Sequence, residues 1–273
     1  MTLPLFSTTD DPGPNFLGLL QKVGADPFAH LDGTSSSANS LDVPHATTIC
    51  AVRYVDGVVM AGDRRATAGN VIAHRTMEKV MPADKFSGVA IAGSAGLAIE
   101  MVKLFQLQLE HYEKSEGDTL SLEGKANQLS QFVKNNLSMA MQGFVVVPLF
   151  AGYDERRKIG RIFTYDATGG RYEETNYHAD GSGGRDAKTT IKLGFKEGLK
   201  REEAISLLVR GLYEAADEDS ATGGPDPIRG IYPIVATISE KGYERVEDDE
   251  VAKLFADVIA SKSAPATKKR AKS

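Results

Sequence analysis

Residues 44–63 read PHATTICAVRYVDGVVMAGD, and this stretch decides how the chain is organised. Residues 47–54 are rich in β-branched and small apolar side chains, which is typical of a strand. Asp56 and Gly57 are the residue types of a type I′ hairpin turn, and residues 58–63 return as a second strand. The pattern predicts a β-hairpin that opens on two threonines.

The segments on either side of the central region differ from it in composition. Residues 1–46 contain five aspartates, one lysine and five prolines, which predicts a leader that is flexible or weakly docked. Residues 261–273 contain five basic residues and no acidic one, so we expect a solvated tail or a contact for an anionic partner. Residues 47–260 predict a single domain.

Composition and charge exclude several classes of protein. The 273-residue chain has a net charge of −5 at pH 7 and one cysteine, Cys50. The negative charge argues against general nucleic-acid binding, and one cysteine excludes a disulfide framework. The histidines do not lie at metal-ligand spacing, no apolar run is long enough to cross a bilayer, and the N-terminus lacks a secretory signal. We expect a cytoplasmic protein with no membrane contact, no metal and no other cofactor.

The remaining apolar periodicity predicts hairpins that alternate with helix pairs. A helix is predicted from Gly93 to Gly117 and a second one over the apolar spacing from Leu122 to Phe144. The other elements are a hairpin at 80–92, strands at 145–153, 161–166, 171–175 and 177–180, helices at 184–196 and 201–218, a hairpin at 231–246 and a helix at 248–261. Because the strands run in hairpins, we expect an α+β fold, a four-layer αββα sandwich with two antiparallel sheets between helix pairs.

The threonines that open the first hairpin are candidate reactive residues. A threonine hydroxyl needs a nearby base, and a free α-amino group on the same residue, with a pKa of about 7.7–8.0, can supply it. This chemistry requires that a leader ending at Ala46 is removed, so that Thr47 becomes the N-terminus. The alternative is an ordinary strand that begins with Thr47 and Thr48.

Two charged residues lie at neighbouring strand ends. Asp63 closes the second strand, and Lys79 stands at the start of the next one. A sheet can present both side chains at the same edge, beside the threonines. The alternative is a surface ion pair, which contributes about 0–1 kcal/mol.

Seven stretches spread over residues 47–260 carry a family resemblance. They are TTI at 47–49, GVVMAGDRR at 57–65, KV at 79–80, IAG at 91–93, EHYEK at 110–114, GSG at 181–183 and DSATGGPD at 219–226. Together they resemble the β subunits of the 20S proteasome, in particular the actinobacterial ones. The resemblance implies the N-terminal-nucleophile hydrolase fold and a threonine endopeptidase that is activated by autocatalytic cleavage.

The resemblance also assigns roles to individual residues. It implies that Thr47 is the nucleophile, exposed by self-cleavage of the Ala46–Thr47 bond, and that residues 1–46 are a propeptide. Asp63 and Lys79 match the charged pair beside the nucleophile. The other matched residues are Gly93 as the oxyanion donor and Ser182, Asp219 and Thr222 as the polar group that holds the amine and a water. The family prefers glycine before the threonine, so the methyl group of Ala46 is expected to slow processing.

The resemblance further implies a substrate pocket and a set of partners. The residues matched to the pocket are small or apolar and carry no charge, which favours cleavage after hydrophobic residues: Ala66, Thr67, Ala73, Met77, Met81, Ile91, Ala95 and Ile99. The alternative for each of them is core packing. The expected partners are proteasome α subunits, other β subunits in seven-membered rings of a four-ring barrel, and an ATPase ring that delivers pupylated substrates.

Two other assemblies are compatible with parts of the pattern. One is a non-catalytic ring subunit that keeps the fold without the chemistry, but the full set of matched catalytic residues argues against it. The other is the simpler bacterial two-ring threonine protease that works with an unfoldase. That family also begins with two threonines, but its chains are shorter and lack a long leader.

Overall fold

Alternating burial along the strands builds the core of this protein. The structure is a computed structural model that describes residues 47–263, so the predicted leader and most of the basic tail lie outside the described residues. In β1 (Thr48–Tyr54), Ile49 and Ala51 face one apolar cluster, and Cys50 and Val52 face another. A strand that is buried on both faces in this way must lie inside a stack of layers.

Eleven more strands and six helices follow β1 among the described residues. The strands are β2 (Gly57–Gly62), β3 (Ala66–Ala68), β4 (Val71–His74), β5 (Val80–Asp84), β6 (Ser87–Gly93), β7 (Val146–Asp154), β8 (Ile159–Tyr165), β9 (Arg171–Glu174), β10 (Tyr177–Gly181), β11 (Ile234–Ser239) and β12 (Gly242–Arg245). The helices are α1 (Ala95–Glu116), α2 (Leu122–Asn135), α3 (Leu137–Met141), α4 (Gly184–Gly194), α5 (Arg201–Glu218) and α6 (Asp248–Ser263).

Two five-stranded antiparallel sheets form the middle of the molecule. The first has the order β10-β1-β2-β11-β12, and the second has the order β5-β6-β7-β8-β9. One apolar cluster lies between them and contains Met60 of the first sheet and Leu149 of the second. Helices α4 and α5 pack on the outer face of the first sheet, and α1 and α2 pack on the second. The predicted four-layer αββα sandwich is therefore confirmed.

Two local features differ from the sequence predictions, the end of the second helix and an additional small sheet. The second predicted helix stops at Asn136, whose φ of −90° and ψ of 3° leave the α-helical region. The apolar spacing continues into the short α3, but Met141 there is 79% exposed and Phe144 is outside the helix. The strands β3 and β4 form a small two-stranded sheet that the sequence reasoning did not predict.

The turn between β1 and β2 also differs from its prediction. Its two residues are Val55 and Asp56, because Tyr54 pairs with Gly57 in the strand register. A type I′ turn requires a positive φ at both positions. Lys158 is the only non-glycine residue with a positive φ among residues 47–263, so this turn is of another type.

No helix within residues 47–263 combines the length and the apolar character needed to cross a membrane.

Candidate active site

The carboxylate of Asp63 is the centre of the candidate site. It follows β2 directly and is completely buried. Its Oδ1 accepts hydrogen bonds from the Thr48 N–H at 2.8 Å and from the Lys79 ammonium at 2.7 Å. Its Oδ2 accepts from the N–H groups of Arg65 and Gly223, each at 2.8 Å. Four donors around one buried carboxylate provide the pairing that a buried charge requires.

Lys79 lies at the start of β5 with its side chain fully buried. Besides Asp63, its Nζ donates to the Arg65 carbonyl at 2.5 Å. Burial lowers the pKa of Lys79 below the ordinary value of 10.5, and the charge of Asp63 opposes that shift. The predicted Asp63–Lys79 pair therefore exists, and it is not the surface ion pair of the alternative interpretation.

A chain of hydroxyl groups forms the other side of the site. Ser182 Oγ and Thr222 Oγ1 both donate to Asp219 Oδ2, at 2.5 and 2.6 Å. Thr222 Oγ1 also lies 2.5 Å from Thr48 Oγ1, which accepts from the Gly183 N–H at 3.0 Å. Since the Thr222 proton points to Asp219, the Thr48 hydroxyl is the donor in that contact. Burial raises the pKa of Asp219, but the hydroxyl groups of Ser182 and Thr222 together with the N–H groups of Ala221 and Thr222 lower it further, so the net pKa lies below its ordinary value.

Thr47 is held by its backbone at the edge of the first sheet. Its carbonyl accepts from the Ser182 N–H at 2.9 Å, and the residue is 3% exposed. This contact depends on Gly181, which has a φ of +94°. A Cβ at position 181 would lie 1.8 Å from the Thr47 carbonyl oxygen, so only glycine fits there. Ala46, the other residue of the predicted cleavage site, lies outside the described residues.

Gly93 ends β6 on the second sheet, at the point where α1 begins. Its φ is +102°, and a Cβ would lie 2.1 Å from the Val145 carbonyl oxygen. Two residues earlier, the Ile91 N–H donates to the Lys79 carbonyl at 2.9 Å. Because strand N–H groups alternate in direction, the Gly93 N–H lies on the same side of β6 as the N–H of Ile91, which is the side of Lys79.

The residues predicted to line a substrate pocket fall into two groups. Four of them belong to or pack against the apolar cluster between the second sheet and its helices: Met77, Met81, Ile91 and Ile99. Ala66, Thr67 and Ala73 are on the small β3–β4 sheet, where Ala66 is buried and Ala73 is exposed. Ala95 is the first residue of α1 and is half-buried. Whether they line one pocket stays a prediction.

The sequence reasoning missed several groups that complete the site. The Thr48 hydroxyl links β1 to Thr222, and the backbone of Arg65 and Gly223 positions Asp63. Every residue except proline carries a backbone N–H, so the sequence does not indicate which of these groups will bind a carboxylate. The two adjacent threonines were the only available hint for the hydroxyl of Thr48.

The site offers acid–base and nucleophilic chemistry. Within residues 47–263, no three His, Cys, Asp or Glu side chains are grouped as metal ligands. Thr47 carries a hydroxyl, and the nitrogen of the next residue shares a carboxylate oxygen with a buried ammonium group. A cation within about 4–6 Å of a hydroxyl or an amine favours the anionic form of the hydroxyl and the neutral form of the amine.

The chain is similar to known proteins over most of its length. Residues 43–228 match a family model described as proteasome subunit. A proteasome subunit beta of Acidimicrobium ferrooxidans is 56% identical over 258 residues, which cover 94% of this chain and 93% of that protein. A proteasome subunit beta of Streptomyces griseus is 57% identical over 220 residues, which cover 81% of this chain and 78% of that protein.

Proposed function

Since the chain belongs to the proteasome subunit family, we propose that it is a catalytic β subunit, a threonine endopeptidase with Thr47 as its nucleophile. The observation that carries the proposal is the bonding of Asp63 Oδ1, which accepts from both the Thr48 N–H and the Lys79 ammonium. This oxygen connects the candidate nucleophile's strand to a buried cation. A buried ammonium group is costly to desolvate, and here its partner carboxylate also binds the backbone next to Thr47, as a catalytic role requires.

The first proposed reaction removes residues 1–46. The Thr47 Oγ1 attacks the carbonyl carbon of Ala46, and the bond from that carbon to the Thr47 nitrogen breaks. The hydroxyl proton ends on that nitrogen, and an ester joins Ala46 to the Thr47 side chain. Water then hydrolyses the ester, which releases the carboxylate of Ala46 and leaves Thr47 with a free hydroxyl and a free α-amino group.

The mature reaction follows the same route on a peptide substrate. The α-amino group takes the proton of the Thr47 hydroxyl while Oγ1 adds to the peptide carbonyl. The leaving amine receives that proton when the C–N bond breaks, and water hydrolyses the acyl ester. In this scheme Lys79 lowers the pKa of the hydroxyl and of the amine, and Asp63 holds Lys79 in place.

Gly93 is the proposed donor to the oxyanion that forms on the substrate carbonyl. The direction of its N–H, on the side of β6 that carries Lys79, supports this role. Losing one such donor typically costs about 2.7–4 kcal/mol of transition-state stabilisation. Ser182, Asp219 and Thr222 are proposed to hold the amine and the hydrolytic water, and their shared hydrogen bonds fix the three side chains relative to one another.

The proposal includes substrate preference, assembly and location. Cleavage after hydrophobic residues is expected, because the pocket residues named above carry no charge. The subunit is proposed to assemble with α subunits and other β subunits into a barrel of four seven-membered rings. An ATPase ring would deliver pupylated proteins to this barrel in the cytoplasm.

Thr47→Ala tests the proposal. We expect it to abolish leader removal and peptidase activity without preventing assembly with α subunits. The measurements are the intact mass of the subunit, native mass of the assembly and hydrolysis of a hydrophobic fluorogenic peptide. Thr48→Ser is the matched control, because it keeps the buried hydroxyl that bonds to Thr222, and it should retain most activity.

The outcomes of this test are distinct. A Thr47→Ala protein that still loses residues 1–46 and cleaves the peptide would overturn the assignment of Thr47. Equal loss in Thr48→Ser, which keeps a hydroxyl at position 48, would show that the loss in Thr47→Ala is not specific to the Thr47 hydroxyl. A wild-type particle that assembles but cleaves nothing would support the non-catalytic alternative.

A further inference from the structure

Thr48 is bonded to both halves of the candidate active site. Its N–H donates to Asp63 Oδ1 at 2.8 Å, on the side of the lysine–aspartate pair. Its Oγ1 lies 2.5 Å from Thr222 Oγ1, on the side of Asp219. Thr48 is completely buried, so its hydroxyl does not touch a substrate. No step of the proposed reaction uses this hydroxyl, and its contacts place it where it can position other groups.

The hydrogen bonds through the Thr48 hydroxyl run in one direction. The Gly183 N–H is a donor and lies 3.0 Å from Thr48 Oγ1, so Thr48 accepts there. At the other end, the ionised carboxylate of Asp219 only accepts, so Thr222 gives its proton to Asp219 Oδ2 at 2.6 Å. The contact between the two threonines therefore uses the proton of Thr48. Thr222 is left as an acceptor towards any further partner.

This direction matters for the α-amino group of the mature Thr47. A neutral amine has one lone pair, and in the proposed reaction that lone pair takes the proton of the Thr47 hydroxyl. A Thr222 proton that turned towards the amine would occupy the lone pair and block this step. Hydrogen bonds in a chain polarise one another, so donation from Thr48 strengthens the bond from Thr222 to Asp219. The chain thus keeps the base free.

The backbone around Gly183 fixes the position of the Thr48 hydroxyl. A Cβ at position 183 would lie 2.7 Å from the hydroxyl oxygens of both Thr48 and Thr222, so glycine lets this backbone approach them. The neighbouring Ser182 N–H donates to the Thr47 carbonyl at 2.9 Å. Two consecutive N–H groups therefore hold two consecutive threonines, and the Thr48 hydroxyl is in place without any substrate.

We propose that Thr48 is a positioning residue: its hydroxyl donates to Thr222 and keeps the Thr222 proton on Asp219. Thr222 is then oriented to accept a hydrogen bond from the α-amino group of Thr47. This inference rests on the proposed function, because it gives Thr48 a part in the same reaction. The rival explanation is that Thr48 only satisfies buried hydrogen bonds and stabilises the fold.

Thr48→Val tests this role, since valine keeps nearly the same shape and removes the hydroxyl. We expect kcat per assembled particle to fall roughly threefold to tenfold, as for one lost hydrogen bond, with KM unchanged. The acidic limb of the pH profile should move upwards, because a weaker bond from Thr222 lowers the pKa of Asp219 less. Thr48→Ser returns a hydroxyl and should recover both values.

Thr237→Val is the matched control. Thr237 is also a buried threonine on a strand of the first sheet, and its hydroxyl donates to the Glu244 carbonyl at 3.5 Å, outside the candidate site. Its kcat and acidic limb should equal those of the wild type. Native mass checks that each variant assembles, and Thr48→Ala takes the place of Thr48→Val if valine prevents assembly.

A double-mutant cycle separates action through Thr222 from an independent effect. Because Thr48 is proposed to act through the Thr222 hydroxyl, Thr48→Val should have little further effect on kcat in a Thr222→Val background. Two independent contributions would multiply instead. Hydrolysis of a hydrophobic fluorogenic peptide across pH measures the wild type, both single variants and the double variant.

Cryo-electron microscopy of the mature wild-type particle provides a readout that does not depend on turnover. We expect Thr48 Oγ1 and Thr222 Oγ1 within hydrogen-bond distance. An active particle without this contact, an unmoved acidic limb in Thr48→Val, or multiplying effects in the cycle would each overturn the inference and leave the proposed function intact. A particle that keeps the contact but cleaves nothing would refute the proposed function, and with it the part given to Thr48.

Discussion

Two lysine–aspartate pairs, each with a buried lysine, lie at opposite ends of strand β5, and their surroundings differ. Lys79 precedes β5 and pairs with Asp63 at 2.7 Å; Asp84 ends β5 and pairs with Lys125 at 2.6 Å. Asp84 takes its other hydrogen bonds from Phe86 and Ser87, within three residues of itself. That pair connects α2 to a local turn.

Asp63 has partners from distant parts of the chain. Thr48 is 15 residues away and Gly223 is 160 residues away. The Asp63–Lys79 pair thus joins the start of β1, the start of β5 and the loop after α5. The difference teaches that a buried ion pair is evidence of a functional site only when its other contacts converge on a reactive group. The Asp84–Lys125 pair supplies the internal control for the predictions below that concern catalysis and its pH dependence.

The largest expected difference between the pairs is in catalysis. Lys79→Ala should block leader removal and lower the peptidase rate by roughly 10²–10⁴, because it removes a charge that assists proton transfer. Lys125→Ala should lower the unfolding free energy by about 3 kcal/mol, since it leaves Asp84 without its partner. Its activity per folded particle should not change.

Intact mass, peptide turnover and thermal unfolding of both variants measure these effects. If Lys125→Ala lost as much turnover per folded particle as Lys79→Ala, the functional contrast between the pairs would be refuted.

The pH dependence of activity should also separate the two pairs. Burial lowers the pKa of Lys79, so its ammonium form is lost at a pH below the ordinary pKa of 10.5. We expect the activity to be lost over the same pH range. Asp63→Asn removes the charge that raises this pKa, so the alkaline limb of kcat/KM should move to lower pH. Asp84→Asn should leave that limb in place. A pH profile of the residual activity is the measurement, and an unmoved limb in Asp63→Asn would exclude Lys79 as the titrating group.

The same shift predicts the direction of a stability effect. The pKa of Lys79 is lower in the folded than in the unfolded chain, so between the two values the unfolded chain binds more protons. Protonated Lys79 therefore lowers the unfolding free energy at pH values below its pKa in the folded chain. This destabilisation disappears as the pH rises towards 10.5. Lys79→Met should reduce this part of the pH dependence of unfolding.

A smaller effect is expected when a hydroxyl group that donates to the carboxylate of Asp219 is removed. Thr222→Val removes a hydrogen bond to Asp219, and we expect about a tenfold loss of kcat, since one such bond contributes about 1 kcal/mol or more. It should also raise the pKa of Asp219 and move the acidic limb of the pH profile upwards. Thr222→Ser keeps the hydroxyl and should restore both values.

The matched control is Ser87→Ala, which removes the hydroxyl that donates to Asp84 at 2.6 Å. It should leave kcat and both limbs unchanged. Steady-state kinetics across pH compares the three variants, and a normal acidic limb in Thr222→Val would contradict the role given to this hydroxyl.

The smallest expected effect concerns the leader. Ala46→Gly should speed leader removal by roughly twofold to fivefold, because glycine adopts the required turn with less strain. Turnover per mature subunit should stay the same, since the proposed cleavage removes residue 46 from the mature chain. A time course of precursor and mature bands, paired with peptide turnover, is the measurement. Equal processing rates would show that the methyl group is tolerated, and a changed turnover would place the cleavage site elsewhere.

Much of the fold was predictable from local sequence patterns. Alternating apolar residues predicted β1 and β2, and helical spacing predicted α1 up to Gly117, which ends that helix with a φ of +71°. These features depend on residues that are close in sequence, so the period of the apolar side chains is sufficient to predict them. The same reasoning failed at Asn136, where the apolar spacing continues but the backbone leaves the helix.

The sequence by itself determined the candidate residues Thr47, Asp63 and Lys79, because a hydroxyl, a carboxylate and an ammonium group at strand ends have recognisable chemistry. Only the tertiary structure decided that Asp63 and Lys79 form a fully buried pair and that Thr48 bonds to Thr222 across 174 residues. Such contacts depend on how β1, β5 and the loop after α5 pack in space, and no local period or propensity encodes distances between remote segments.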